Sequence, residues 1–219
     1  MNYLLWQLAD SGFPAGGFAH SGGLEASLQH AHVTDGDSLW AFATQAVVQA
    51  GRSALPLVTA VHRNPELLME MDRLSDVFLS NPVANRASAA QGRAFLVSVS
   101  RSFPHAPIAA LDDRLRHEAL AGHYAPVFGA ALRQLGVDRL DTQRLFLYLA
   151  GRSVGSAAVR LGLIGAYEAQ ALQAMLATHI DAVVERCGNL EPSEIAQTAP
   201  LIDLFQATHD RLYSRLFQS

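Results

Sequence analysis

Apolar residues along this chain recur every three or four positions, and alternation with a period of two never persists. That regularity argues against a sheet and predicts helices nearly everywhere. Leu4, Leu5 and Leu8 mark a short first helix, halted by Ser11-Gly12-Phe13-Pro14-Ala15-Gly16-Gly17. A second helix is predicted to begin near Ser21 and to carry Leu24 and Leu28. A third is predicted to be capped by Asp37, with Leu39, Phe42, Ala46 and Val47 turned inward. At Asn64-Pro65 and Asn81-Pro82 one device is repeated: asparagine accepts from orphan amides, and proline takes the first helical position, where its missing N–H costs nothing. The first start leads into Leu67, Met71, Leu74 and Phe78, and the second into a small-residue face of Ala87, Ala90 and Ala94, ended by Phe103-Pro104.

Further helices are predicted over Pro126 to Leu135, onward from Asp141 or Thr142, over Tyr167 to Arg186, and from Thr198-Ala199-Pro200 almost to Ser219. Gly151, Gly155 and Gly162 fall in the second of these. Each costs about 1 kcal/mol relative to alanine inside a helix, which close packing against a neighbour would offset. The expectation is an all-α fold, a single compact domain of about ten helices spanning 1–219.

Half of the residues are hydrophobic and 16% are charged, so the chain can bury a large core and leaves little to disorder. The net charge is −4 and no basic run exists to track a phosphate backbone, so nucleic acid is not an expected partner. All 16 basic residues are arginine. Without lysine, neither a phosphate loop of the GKS type nor a Schiff base can form. A lone cysteine, Cys187, cannot make an intramolecular disulfide, which fits a reducing compartment. No run of apolar residues is long enough for a membrane span and the N-terminus does not read as a signal peptide, so a cytoplasmic location is expected.

The search for chemistry returns little. His30 and His32 lie two apart and diverge on a helix, whereas zinc pairs on one face usually sit four apart. His20, His62, His105, His117, His123, His179 and His209 are dispersed, and tight nickel binding by the chain alone is not expected. The adjacent Asp112-Asp113 point in different directions, and Gly151-Arg152-Ser153-Val154-Gly155 is not read as a nucleophile elbow. Two segments exceed what a plain helical domain requires. One is the glycine-rich stretch from Phe13 to Glu25, in which Gly16, Gly17, Gly22 and Gly23 read as a hinge carrying Phe18. The other is the tail from His209 to Ser219, whose Tyr213, Arg215, Leu216 and Phe217 are interface residue types and suggest docking, in cis or on another chain.

These same segments carry a resemblance. Leu5-Trp6-Gln7-Leu8-Ala9-Asp10-Ser11, then Phe13-Pro14, Gly16-Gly17-Phe18 and Gly23-Leu24-Glu25, resemble the opening signature of the urease accessory protein UreF family. The ending His209 to Ser219 is similar to the family's C-terminal signature. Asn85 to Gly92, His123 to Gly129 and Ser153 to Leu161 are similar to its plant-like branch. The resemblance implies an all-helical, non-catalytic homodimer that joins a UreD/UreH-like accessory protein and recruits the UreG-like GTPase. The assembly would deliver nickel to apo-urease, with no cofactor of the chain's own. It further implies that Glu25 and Arg160 lie on the GTPase face. The family often has lysine where Arg160 stands, which keeps the charge but alters the geometry. It assigns His209, Tyr213, Arg215, Leu216, Phe217 and Ser219 to the UreD-like partner. Two alternatives stay open: a small helical enzyme or cofactor-binding protein with a pocket lined by His117, His123 and Tyr124, and a homodimeric scaffold of unrelated pathway.

Overall fold

The computed structural model describes residues 3–104 and 108–219, and among them every regular element is helical. At the centre lie two short helices apolar on all sides, α4 (Leu55–Arg63) and α8 (Tyr124–Gln134). Residues 55–62 and 125–132 are buried without interruption, as a helix enclosed by neighbours requires. They cross closely because Gly129 faces α4: a Cβ there would overlap the carbonyl of Val58.

Around this pair pack α3 (Gly36–Ser53), α5 (Leu68–Phe78), α6 (Pro82–Ser102) and α9 (Arg139–Arg160), and α10 (Ala166–Cys187) packs on α3 and α9. Phe95, Tyr124, Phe128 and Phe146 form an aromatic cluster with ring centroids 5.1–5.7 Å apart, joining α6, α8 and α9. Full burial of a side chain such as Phe95 or Phe128 contributes about 1.5–3 kcal/mol. Gln143 bonds polar groups inside the core to one another: its Nε2 donates to Thr59 Oγ1 at 2.9 Å and to the Gly188 carbonyl at 2.6 Å. Buried Asp72 accepts from the backbone amides of Ala121 and His123 at 2.9 and 2.7 Å. The outer elements are α1 (Tyr3–Ala9), α2 (Leu24–Gln29), α7 (Ala109–His117) and α11 (Pro200–Thr208).

Several boundaries differ from the sequence reading. Asp35, not Asp37, caps α3, because it is the extended residue and forms a reciprocal pair with Ser38. Asp138 caps α9, so the helix starts before Asp141. Gly162 lies beyond α9 at φ 72°, a left-handed residue that ends the helix rather than packing it. Ala90 is exposed, and the close approach of α6 is made by Gly92 against Gly122 and His123. Gly51, packed on Val183 of α10, plays the part expected of Gly155, where a Cβ would meet Ala169 at an ordinary 3.8 Å. The last helix stops at Thr208, and after a single 3-10 turn the remaining residues run as an irregular tail.

Candidate partner-binding site

The stretch between α1 and α2 needs glycine for its backbone and for close approach. Gly16, Gly22 and Gly23 have φ of 77°, 60° and 91°, the left-handed region that L side chains rarely adopt. A Cβ on Gly23 would lie 2.9 Å from the carbonyl of Ile202 in α11, and one on Gly16 would lie 2.9 Å from the Ala94 Cβ in α6. Gly17 opens a single 3-10 turn ending at Ala19. Where a hinge was expected, these glycines let the loop be braced between α6 and α11.

That loop holds the tail. Gln218 N donates to the Ala19 carbonyl at 2.8 Å, and Ser21 N donates to the Ser219 carbonyl at 2.5 Å. Ser21 Oγ adds a bond to that same carbonyl at 3.1 Å, and His20 Nδ1 lies 2.6 Å from Ser219 Oγ. Sequence reasoning missed Ala19, His20 and Ser21 as receivers of the tail, since two of their contacts use backbone atoms that any residue supplies.

Glu25 fixes the other side of the tail. It sits in the first turn of α2 and is only 3% exposed. Its Oε1 accepts from the backbone amide of Leu216 at 2.6 Å. Its Oε2 accepts from that of Phe217 at 3.2 Å and lies 3.0 Å from His209 Nε2. A carboxylate with three donors in a low-dielectric site is compensated; removal of those donors would leave it a buried, unpaired charge. Glu25, expected on a face offered to a partner, turns its carboxylate inward in this structure and bonds this chain's own tail.

Arg160 closes the arrangement from the last turn of α9, where a cation suits the helix dipole. Its guanidinium lies between two rings, 3.9 Å from the centroid of Phe18 and 4.1 Å from that of Phe217, and donates to the Phe18 carbonyl. Glu25, Arg160 and the tail thus share one patch, with Phe217 between the two charges. What the patch shows outward is different: Phe18 is 70% exposed, Leu216 53% and Tyr213 fully so. His209 is buried, whereas Arg215 lies at the surface 3.6 Å from Asp210. Arg86 donates to the opposite oxygen of Asp210 at 2.6 Å, and that bond, with Arg215 nearby, holds the carboxyl below its usual range.

The histidine-lined pocket does not assemble. His117 is exposed at the end of α7, and His105 lies outside the described residues. His123 is fully buried; its Nδ1 lies 3.2 Å from Ser88 Oγ and its Nε2 3.3 Å from Asp76 Oδ1. Ser88 also accepts from the Tyr124 amide, and it sits inside α6 rather than on an exposed turn. The letters of Gly151 to Gly155 fit G-x-S-x-G. The segment lies wholly within α9 and follows no strand, so it forms no elbow.

A family model, UreF, matches residues 33–177. The chain belongs to the UreF family. Urease accessory protein F of Oryza sativa subsp. japonica is 36% identical, covering 97% of this chain and 83% of that protein. The protein of the same name in Arabidopsis thaliana is 34% identical over 100% of this chain and 93% of its own length. Urease accessory protein UreF of Arthrobacter sp. (strain FB24) is 28% identical, with 98% and 96% covered. The plant-like UreF resemblance is thereby established. Arg160 falls inside the matched family region, while Glu25 and the tail fall outside it and within the near-full-length similarities.

Proposed function

We propose that this chain is a non-catalytic factor in urease maturation. It acts as a homodimeric scaffold that joins a UreD/UreH-like accessory protein, recruits a UreG-like GTPase and so directs nickel to apo-urease. The observation that carries the reading is the similarity, end to end, to proteins named urease accessory protein F. The tail patch supports it, because a rigidly braced loop presents Phe18, Tyr213 and Leu216 outward, residue types suited to a protein interface. Nickel on this reading is cargo of the assembly, and the chain has no resident cofactor. Its compartment is the cytoplasm; no described helix is long and apolar enough to cross a membrane.

Co-expression with UreD-like, UreG-like and urease subunits from one source tests the proposal. The chain should co-purify with the UreD-like protein, and its deletion should leave urease as apoenzyme. Active, nickel-loaded urease in the deletion strain would overturn the reading. A monomer by light scattering, alone and in the complex, would remove the dimeric scaffold from it.

A further inference from the structure

The three internal segments similar to the family signature send Gln91, Tyr124 and Ser153 into one cavity of about 310 Å³ beneath the glycine-rich loop. Its polar lining also includes Ser11, Ser156, His20, Arg152 and Arg160, and among the described residues no acidic side chain lines it. Among the described residues neither arginine has a carboxylate within 4 Å. Each gives one N–H to a backbone carbonyl, Arg152 to Ala9 and Arg160 to Phe18, and both are only partly exposed.

Two partly exposed guanidinium groups that line one cavity without a counter-charge offer an oxyanion charge-assisted hydrogen bonds. Arg160 is already covered on both faces by Phe18 and Phe217, so its charge acts from the roof. Arg152 is close enough to Tyr124 for its charge to act on the phenol. Tyr124 lines the cavity, and among the described residues its hydroxyl has no hydrogen-bond partner. Burial raises the Tyr124 pKa far above its ordinary value, so the group stays an O–H donor. Phe13, Leu149 and Phe217 supply an apolar wall, and the volume exceeds what an inorganic ion would fill.

We infer that this cavity binds a small organic anion, a carboxylate or phosphate head on an apolar body, with the head held by Arg152 and Tyr124. The cavity shares Phe18, Arg160 and Phe217 with the tail patch but not Tyr213 or Leu216, and its test needs no partner protein.

Calorimetry on the full chain with benzoate, phenyl phosphate and the neutral isostere benzamide decides it. At least one of the two anions should bind saturably, and benzamide at least about tenfold more weakly, as loss of a charged hydrogen-bond partner implies. Whichever anion binds more tightly identifies the head group. Arg152→Gln should weaken the anion by about tenfold or more, and Tyr124→Phe should weaken it while leaving the buried ring in place. If Arg152→Gln does not fold, the Tyr124→Phe variant decides alone. No saturation by either anion, equal binding of benzamide, or unchanged affinity in folded variants would overturn the assignment.

Discussion

Glu25 Oε2 and His209 Nε2 lie 3.0 Å apart although 184 residues separate them in the chain, and both side chains are buried. Through this pair the first turn of α2 and the 3-10 turn after α11 form one unit, and the tail amides complete it.

Replacing Glu25 by alanine should therefore free the tail without opening the core. Breaking a buried pair typically costs 3–5 kcal/mol, and here the tail can detach instead of the whole chain unfolding, so about 3 kcal/mol is an upper bound on local stability lost. Hydrogen exchange should quicken at the amides of Leu216, Phe217 and Gln218 while those of α8 stay protected. Unchanged exchange in the tail would show that Glu25 does not hold it.

The two glycines Gly129 and Gly155 should respond oppositely to alanine. A Cβ at Gly129 overlaps backbone, the Val58 carbonyl, which cannot swing aside, so Gly129→Ala should cost about 1–3 kcal/mol. At Gly155 a Cβ meets Ala169 at contact distance, so Gly155→Ala should be neutral or should stabilise by up to about 1 kcal/mol. Urea unfolding of both variants checks the pair, and equal effects would contradict the packing.

Acid should weaken the fold through buried histidine. His62 Nε2 lies 2.8 Å from the Val137 carbonyl, and burial lowers its pKa below the ordinary 6.5. The unfolded chain then takes up a proton that the folded chain resists. Stability is thus full above about pH 6.5 and falls as pH drops through that value toward the depressed folded pKa. His20 shifts the same way, by burial and by repulsion from His209. Unfolding midpoints should fall from about pH 7 to about pH 5, with a shallower slope in His62→Gln.

Tyr213→Ala and Leu216→Ala separate binding from folding. Both side chains point outward, so stability should change by less than about 0.5 kcal/mol. On the proposed function, affinity for the UreD-like partner should fall by about 2 kcal/mol or more for the double variant. Titration of the purified partner reads this directly, and undiminished affinity would place the interface elsewhere.

The helices were legible because an apolar stripe is local: Leu4, Leu5 and Leu8, or the starts at Asn64 and Asn81, announce themselves within a turn. Asp37 was expected to cap α3 because both aspartates suit a cap; what selects Asp35 is its extended backbone and Ser38 three residues on, which completes the reciprocal pair. Gly151 packs closely on Leu176 as expected, but Gly51, Gly92 and Gly129 could not be told from Gly155, since tightness depends on which helix crosses there. Glu25 read as a surface charge for the same reason, because its three donors come from the far end of the chain. The glycine-rich loop and the tail were each singled out; their mutual contact was not.

The path of the tail also sets how it competes. Because α11 packs on α2, only Leu212 to Leu216 separate the anchored turn at His209–Arg211 from Phe217. A tether that short closes in about 10–100 ns and holds the tail near its groove at an effective concentration on the order of millimolar. Any protein that claims the same groove or the same tail must outbid that tethered rival. A weak encounter will find the chain closed, while a tight one can exchange places with the tail and leave every helix intact.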